Sequence, residues 1–509
     1  MNCPFRPVLP LAAATALLAL AGCAPDAPIP AATPGPVFIL GFDGLAPPLV
    51  ERWEAEGLLP NFARLRAEGA VGNVRSTVPM ISPPAWTTVS TGVTPVGHGI
   101  WSFWVPEEGN PRGRFVDATA RLAPAIWQEL SERGRTVGIV NVPITCPPDP
   151  VNGFMIAGFP YPEGAPLTWP PELEAEITGE GYERDAWLGP PPPGQELDWL
   201  RTMRRVGEAR RRIALSRLLG AKPDLSFIVF TTPDRIQHHL WKFHDPKHPY
   251  WREDTPAELK SAIRDVYVWC DDILGQVRAA LPRDATLFVI SDHGFGPAYA
   301  GISKATILAG LEAAGGEPAE SRNLFGGDFR LPGADEAARD AFVAKLEGLR
   351  DPAGRPLVSA VHDTRRMEAP GLGADLGPTI VADEADGYLF VPGTAKAPLV
   401  GGLAPGAFSG WHRRAGWFAA AGHPIVPGPV RDLDLRDIPA MTLHLLGEKV
   451  PRRYVHNVPK RLFPPTYFVE RQMLFDGAPN EGFLRPEERA PSAIDPAVAE
   501  QLRSLGYTQ

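Results

Sequence analysis

Basic residues are in the minority in this chain of 509 residues, with 50 Lys and Arg against 59 Asp and Glu and a net charge of −9. A nucleic-acid-binding protein usually carries a basic face, so this balance argues against that class of partner.

A long apolar run is missing at the amino terminus, because residues 8–21 fall short of the roughly 20 residues that a stable bilayer span needs. No fixed-period repeat is visible.

The overall amino-acid composition is typical of a globular protein. Hydrophobic residues make up 44% and charged residues 21%, and the length allows a large core in one elaborated domain or two. The 59 prolines and 51 glycines exceed their usual shares of roughly 5% and 7%. Because they are spread along the chain, they predict long ordered loops between regular elements.

The amino terminus predicts export. Arg6 precedes the apolar run, which ends in Leu20-Ala21-Gly22-Cys23 and resembles a bacterial lipobox. We expect residues 1–22 to be a lipoprotein signal peptide, Cys23 to carry the lipid, and residues 23–36 to form a Pro/Ala tether. The protein would then be anchored to the cell envelope, at the outer membrane and periplasm or at the cell surface. An uncleaved anchor helix is the alternative.

Two cysteines, Cys146 and Cys270, remain once Cys3 and Cys23 are assigned to the signal peptide and the lipid. In an oxidising compartment they could pair, but two separate buried thiols fit the sequence equally well.

Three apolar runs end in acidic residues. Residues 37–40, 225–230 and 286–290 read as buried parallel strands, and they lead to Asp43, Asp234 and Asp292. The alternation of strand and helix patterns predicts an α/β fold with a doubly wound, mostly parallel sheet. Ligands bind such sheets beyond the carboxyl ends of the strands, where all three acids are expected.

The remaining elements are predicted from periodicity and from Pro and Gly content. We expect a catalytic domain at 37–450, an inserted smaller cap or subdomain at about 299–410, and a surface-wrapping tail at 451–509. Residues 162–200, rich in Pro, Gly and acidic residues, are predicted as an excursion. Helices are predicted at 48–56, 61–68, 124–133, 197–219, 256–280 and 433–446, and further strands at 136–140, 154–157 and 416–421.

A hydroxyl residue stands at the start of a predicted helix, in Ser82-Pro83-Pro84-Ala85-Trp86. Backbone N–H groups at a helix start favour an anion, and a metal ion is one means of activating a serine. No Gly-x-Ser-x-Gly elbow surrounds Ser82, which disfavours a metal-free Ser-His-Asp hydrolase.

Ligand-type residues accompany this serine. Asp234 and His238 are four apart and share a helix face, and His293 follows Asp292 directly. A lone histidine is more often a hydrogen-bonded structural residue, but three strand ends carrying such residues favour a metal site. Nitrogen and carboxylate ligands suit zinc, with manganese or another divalent ion as alternatives, and two ions about 4 Å apart could hold opposite sides of a displacement at phosphorus.

Taken in order, these motifs resemble the alkaline phosphatase superfamily, in particular the type I phosphodiesterase/nucleotide pyrophosphatase family and its bacterial phosphohydrolase/phosphomutase-like branch. The resemblance covers roughly residues 36–450. It implies Ser82 as the catalytic nucleophile and two divalent metal ions. One would be held by Asp43, Ser82, Asp292 and His293, and the other by Asp234, His238 and His412, with His423 as the alternative to His412.

The sequence departs from the family pattern near the nucleophile. Relatives of the nucleotide pyrophosphatase type carry Thr at the Ser82 position and a phosphate-contacting Asn at the Ala85 position, so Asn141 and Lys304 are the suggested substitute substrate donors. Sulfatases of the superfamily carry Arg where this chain has Trp86, which disfavours sulfate-ester hydrolysis.

The expected function is an exported, metal-dependent phosphohydrolase. A phosphodiester is favoured over a monoester because no arginine clamp for a dianion is visible. The substrate would be a small-molecule, lipid or nucleotide phosphate ester. A phosphotransferase or phosphomutase, a lyase or isomerase, and a non-catalytic metal-containing envelope protein are the alternatives.

Overall fold

The structure is a computed structural model. It describes residues 34–107, 110–162, 164–184, 190–312, 319–321, 326–367, 373–404, 406–454, 458–478 and 481–485. The predicted signal peptide, the predicted lipidation site Cys23 and most of the predicted tether lie outside these residues. Within them, no helix has the length and apolar character needed to cross a membrane.

Strands and helices alternate through the first three hundred residues, as the sequence predicts. The strands are β1 (Val37–Phe42), β2 (Ala70–Arg75), β3 (Trp104–Glu107), β4 (Asn110–Phe115), β5 (Val137–Val140), β6 (Gly153–Ile156), β7 (Thr168–Trp169), β8 (Leu225–Phe230), β9 (Thr286–Ile290), β10 (Gly294–Ser303), β11 (Gly327–Phe329), β12 (Val358–Asp363), β13 (Ile380–Glu384), β14 (Gly387–Val391), β15 (Val400–Gly402), β16 (Gly410–Arg413), β17 (Ala415–Gly422), β18 (Gly428–Asp434), β19 (Val450–Pro451) and β20 (Phe475–Asp476). The helices are α1 (Pro47–Ala55), α2 (Pro60–Glu68), α3 (Ser82–Thr91), α4 (Pro95–His98), α5 (Ile126–Glu132), α6 (Leu173–Gly179), α7 (Glu196–Ala221), α8 (Thr232–His244), α9 (Ala257–Ala280), α10 (Lys304–Glu312), α11 (Glu336–Glu347), α12 (Asp437–Leu445) and α13 (Tyr467–Glu470).

Nine strands form the central sheet in the order β18-β2-β17-β9-β1-β8-β5-β6-β7. The five central strands β9, β1, β8, β5 and β6 run parallel to one another. Strand β17 runs antiparallel to both β9 and β2, and the edge strand β7 runs antiparallel to β6. The predicted mostly parallel α/β fold is therefore confirmed.

Strands β1, β8 and β9 are buried on both faces of this sheet, which explains their continuous apolar runs. All six residues of β1 are buried; Phe38 and Leu40 face one apolar layer, and Val37 and Ile39 face the other. Helices α1, α2, α7, α8 and α9 contribute to the first layer, and α3, α5 and α12 contribute to the second. A strand covered on both sides has no polar face, so alternation disappears from its sequence.

Two smaller sheets are formed within and around the predicted insert. Strand β10 pairs with β14, β15 and β16, and β13 lies between β11 and β12. A separate apolar cluster centred on Phe329, Phe342 and Phe390 fills the space around α11. In the tail, Tyr454 and Leu462 are buried against the second layer of the central sheet.

One sequence prediction was incomplete and another was wrong in detail. The excursion at 162–200 contains β7 and α6, whose short lengths gave no periodic signal; Leu173 and Ile177 of α6 are buried in the first layer. The closing helix begins at Asp437 because Leu433 still pairs with Val74 in the edge strand β18. Tertiary pairing decides both cases.

The two remaining cysteines are separate. Cys146 lies after β5 and Cys270 lies in α9, and both are buried free thiols. Burial raises the pKa of the Cys146 thiol to about 12.

Candidate metal centre

The loop after β1 carries the first carboxylate. Asp43 is almost fully buried, and its amide donates to Phe230 O at 3.0 Å. Gly44 then turns the chain with a φ of +74°, and its amide donates to Asp292 Oδ1 at 3.3 Å. A Cβ at position 44 would lie 3.0 Å from Phe295 Cδ2, so both the backbone angle and the close packing require glycine here.

The first ligand group consists of Asp43, Asp292 and His293, which follow the adjacent parallel strands β1 and β9. His293 Nε2 lies 3.5 Å from Asp43 Oδ1 and 3.3 Å from Asp292 Oδ2. Ser82 Oγ joins this group from α3, at 3.2 Å from Asp43 Oδ1 and 3.4 Å from His293 Nε2. The structure thus brings the four residues together.

The second group consists of Asp234, His238 and His412. Asp234 and His238 lie one turn apart on α8, with Oδ1 and Nε2 3.3 Å from each other. His412 lies in β16, opposite Phe295 of β10, and its Nε2 is 3.3 Å from the same Asp234 oxygen and 2.9 Å from His238 Nε2.

The two groups adjoin. His293 Nε2 lies 4.0 Å from Asp234 Oδ1, and the rings of His293 and His412 have centroids 3.9 Å apart. The six ligand-type residues are buried, whereas Ser82 is partly exposed. The hydroxyl is therefore the part of this cluster that an outside molecule can reach.

Backbone carbonyls orient two of the histidine rings. His238 Nδ1 lies 3.0 Å from Gly410 O, and His293 Nδ1 lies 3.1 Å from Gly294 O. A carbonyl accepts only, so these contacts favour the proton on Nδ1 and leave the Nε2 lone pairs directed into the cluster. Metal-binding histidines commonly have this second contact.

The charges of the cluster fit a bound cation. Asp234 Oδ1 and Asp292 Oδ2 are buried and accept no hydrogen bond within the described part of the chain. Burial and the nearby Asp234 charge raise the pKa of Asp43 well above its usual range, and burial together with Asp43 does the same for the pKa of Asp292. Burial lowers the pKa of His412 to about 4. Neutral imidazoles and crowded carboxylates are the donors that zinc and manganese take.

The pKa of Asp234 shifts in the opposite direction to those of Asp43 and Asp292. Burial acts to raise its pKa, but the adjacent His238 and His412 outweigh burial and hold the pKa well below its usual range. This carboxylate lies between the histidines of both groups, which makes it the most favourable anion of the cluster.

The start of α3 offers an anion fewer N–H groups than most helix starts do. Pro83 and Pro84 carry no N–H, and the amide of Ala85 donates to Ile81 O at 3.1 Å. The amide of Ser82 is the only N–H of that first turn without an intrahelical acceptor.

The alternative ligand His423 lies at the other end of the sheet. Strand β17 runs from the metal side, where Phe418 pairs with Ile290, to the far side, where Gly422 pairs with Thr286. Thr286 Oγ1 donates to His423 O at that far end. The antiparallel course of β17 therefore separates His423 from the cluster that contains His412.

The suggested substrate donors are engaged elsewhere. Asn141 Nδ2 donates to Val229 O at 2.8 Å, and Lys304 forms an ion pair with Asp328 at 3.5 Å. Asn141 is thus bound to a strand carbonyl and Lys304 to a carboxylate, in place of a substrate.

Sequence reasoning missed several residues around the cluster. The indole of Trp86 donates to Asp43 Oδ2 at 2.9 Å, and the aromatic rings of Phe408 and Trp411 contact the histidines, at centroid distances of 4.2 Å to His238 and 4.5 Å to His412. The four-residue spacing of Ser82 and Trp86 indicates that they share a helix face, but it does not indicate that the indole reaches Asp43.

A mostly parallel α/β sheet with a serine and two acid–histidine groups beyond its carboxyl edge defines the class of alkaline phosphatase-like metallohydrolases. The profile described as type I phosphodiesterase/nucleotide pyrophosphatase matches residues 37–323, more than half of the chain. The chain belongs to this family of phosphoric ester hydrolases, as its sequence predicts.

Solved structures agree with this fold. Phosphonoacetate hydrolase from Sinorhizobium meliloti, in complex with phosphonoformate, is 18% identical with a TM-score of 0.54, over 81% of this chain and 96% of that chain. An inactive variant of murine ectonucleotide pyrophosphatase/phosphodiesterase 5, in complex with AMP, is 16% identical with a TM-score of 0.52, over 84% of this chain and 100% of that one. A search of curated proteins finds no match.

Proposed function

We propose that this protein is a metal-dependent phosphodiesterase in which Ser82 is the nucleophile. The observation that carries the proposal is the position of Ser82 Oγ, 3.2 Å from Asp43 and 3.4 Å from His293, at the exposed edge of two adjoining ligand groups. Family membership supplies the reaction class, and this geometry supports Ser82 as the residue that attacks phosphorus.

In this proposal the two groups hold two divalent ions, most readily zinc. Asp43, Ser82, Asp292 and His293 would bind one ion, and Asp234, His238 and His412 would bind the other. Ions in such sites stabilise the charge on the entering and leaving oxygens of a displacement at phosphorus.

The side chains then have distinct tasks. Ser82 Oγ loses its proton to solvent and forms a bond to phosphorus as the ester oxygen leaves, and Asp43 Oδ1, which the hydroxyl contacts at 3.2 Å, keeps Oγ directed for the attack. Water subsequently cleaves the serine–phosphorus ester and regenerates the hydroxyl. The carbonyls of Gly410 and Gly294 keep the imidazoles of His238 and His293 in their ligating orientation.

A diester is the favoured substrate class. The two arginines beside His412 already bind carboxylates, Arg413 with Asp386 and Arg414 with Asp383. A monoester dianion normally needs a cationic clamp, and these two guanidinium groups do not supply one. Lipid, nucleotide and other small-molecule phosphate esters all satisfy this chemistry.

Removal of the nucleophile tests the proposal. Ser82→Ala should lose hydrolysis of bis(p-nitrophenyl) phosphate by at least ~10³-fold, since removal of a catalytic nucleophile costs up to ~10⁶-fold elsewhere. Elemental analysis should find its metal retained, because the six ligand side chains of the two groups remain. Asp234→Ala and His293→Ala should lose both metal and turnover.

Full diesterase activity in Ser82→Ala would overturn the assignment of the nucleophile. Wild type should also prefer the diester to p-nitrophenyl phosphate, and the opposite preference would contradict the diester assignment. Transfer of the phosphoryl group to an added alcohol in place of water would favour a phosphotransferase.

We also propose that the protein is exported and lipid-anchored through Cys23. The support is the lipobox-like Leu20-Ala21-Gly22-Cys23 after an apolar run with one preceding Arg. In cells fed an alkyne fatty acid, the wild type should take up the label and fractionate with membranes. Cys23→Ala should carry no label, and a labelled Cys23→Ala protein would contradict the lipidation site.

A further inference from the structure

One helix contacts both oxygens of Asp43. Ser82 Oγ donates to Oδ1 at 3.2 Å, and Trp86 Nε1 donates to Oδ2 at 2.9 Å. The two donors are four residues apart on α3, so they share a helix face one turn apart. The helix that presents the nucleophile therefore also holds the carboxylate that the nucleophile faces.

The neighbouring strand makes room for this indole. A Cβ on Gly41 would lie 2.5 Å from Trp86 Cη2 and 3.0 Å from Trp86 Cζ3. Gly41 is not among the residues with positive φ, so its backbone does not require glycine. It lies in β1, two positions before Asp43, which directly follows the strand. Glycine is needed there because the Trp86 ring occupies the space that a Cβ would fill.

We propose that Trp86 is a positioning residue for the metal centre. Its N–H holds Asp43 Oδ2 and thereby directs Oδ1 towards Ser82 and His293, where the first ion of the proposed function would bind. A fixed donor on one carboxylate oxygen sets the rotation of the group and thereby determines which oxygen faces the ion. This inference rests on the proposed function, because it assigns the orientation of a ligand in that site.

The chain contains a matched control in Trp127. That indole is also buried, donates to a carboxylate, Asp149 Oδ2, at 2.7 Å, and packs against the same ring, Phe227, at 6.4 Å compared with 6.2 Å for Trp86. Its acceptor Asp149 is no part of the ligand groups. A substitution of either tryptophan by phenylalanine removes one N–H and retains a large ring in the same apolar layer.

The test measures metal affinity directly. Zinc is titrated into metal-free protein against a chromophoric chelator, for wild type, Trp86→Phe and Trp127→Phe. Trp86→Phe should bind one of two zinc ions ~10–100-fold more weakly, the usual effect of losing a hydrogen bond behind a ligand, while the other ion keeps its affinity. Trp127→Phe should bind both ions as wild type does.

Two further measurements separate positioning from a loss of folding. Trp86→Phe should show a lower kcat at limiting zinc that saturating zinc restores, with KM for the diester unchanged. Gly41→Ala should reproduce the weakened zinc site, because its methyl group displaces the indole. In urea unfolding of the metal-free proteins, Trp86→Phe and Trp127→Phe should have similar free energies of unfolding.

Wild-type affinity for both ions in Trp86→Phe would overturn the inference, and so would equal losses in Trp86→Phe and Trp127→Phe. Failure of the proposed function gives a different result, namely a wild-type protein that binds no zinc or leaves the diester intact.

Discussion

At the scale of single residues, hydrogen bonds to backbone carbonyls determine what the histidines can do. Gly410 O and Gly294 O contact the Nδ1 atoms of His238 and His293, so the Nε2 atoms face the carboxylates. His412 lacks such a contact, since its Nδ1 is buried with no hydrogen-bond partner among the described residues, but its ring stacks on Trp411 with an interplanar angle of 18°. Packing orients this ring in place of a hydrogen bond.

Comparison of His412 with His423 tests which late histidine belongs to the cluster. His412→Ala should lose about one equivalent of bound zinc and ~10²-fold or more in diesterase activity, because Asp234 and His238 alone make a poor zinc site. The measurement is elemental analysis together with diester hydrolysis. His423→Ala serves as the control and should keep both, since it lies at the opposite sheet end. The reverse pattern would show that the wrong histidine has been assigned.

At the scale of elements, the metal centre depends on the tight turn between β1 and α1. Gly44 has a φ of +74° and lies against Phe295 and Asp234. The glycine lets this loop approach α8 and β10 closely enough for the ligands of three strand ends to meet. The turn thus couples local backbone geometry to the positions of ligands that are distant in sequence.

The Gly44→Ala variant separates backbone strain from crowding when it is compared with Gly57→Ala. Gly57 has a nearly equal φ of +76°, but no atom lies within 4 Å of the position that an alanine methyl would take, so Gly57→Ala should show only the strain, about 1 kcal/mol of unfolding free energy. Gly44→Ala should cost about 1–3 kcal/mol more, because the new methyl meets Phe295. Urea denaturation measures both. Equal losses would mean that crowding at Gly44 is negligible.

At the scale of the whole molecule, the described residues from Pro34 to Arg485 belong to one compact unit. Arg414, between β16 and β17, binds Asp383 of β13 and also donates to Thr77 O ahead of α3. The smaller sheets and the central sheet are therefore connected close to the metal centre. A perturbation in β13 is expected to affect global stability.

Glu384, at the end of β13, should make that stability depend on pH. Burial raises the pKa of this carboxyl to about 7, above the ~4.3 of an unfolded glutamate. The folded state therefore binds the proton more tightly, and Glu384 disfavours folding increasingly as pH rises from about 4 to about 7. Glu384→Gln should unfold at a higher urea concentration than wild type at pH 8, and the difference should shrink at pH 5. An equal difference at both pH values would contradict the raised pKa.

Much of this architecture could be predicted because the relevant signals are local. The continuous apolar runs of β1, β8 and β9 reveal strands buried on both faces, and the acids that follow them reveal the ligand edge. The i, i+4 spacing of Asp234 and His238 fixes their common helix face without any tertiary information. The short β7 and α6 gave no such signal, since their stability comes from contacts with β6 and with the first apolar layer.

The sequence by itself determined the fold class, the family and the residue types of a metal centre. Strand burial, helix periodicity and motif order can all be recognised from residues that are close together in the chain. Only the tertiary structure decided that His412 and not His423 joins Asp234, that Asn141 and Lys304 bind other groups, and that Trp86 contacts Asp43. These outcomes depend on the direction of β17 and on the close packing of α3 against β1. Contacts between segments far apart in the chain arise from that packing, which no local pattern encodes.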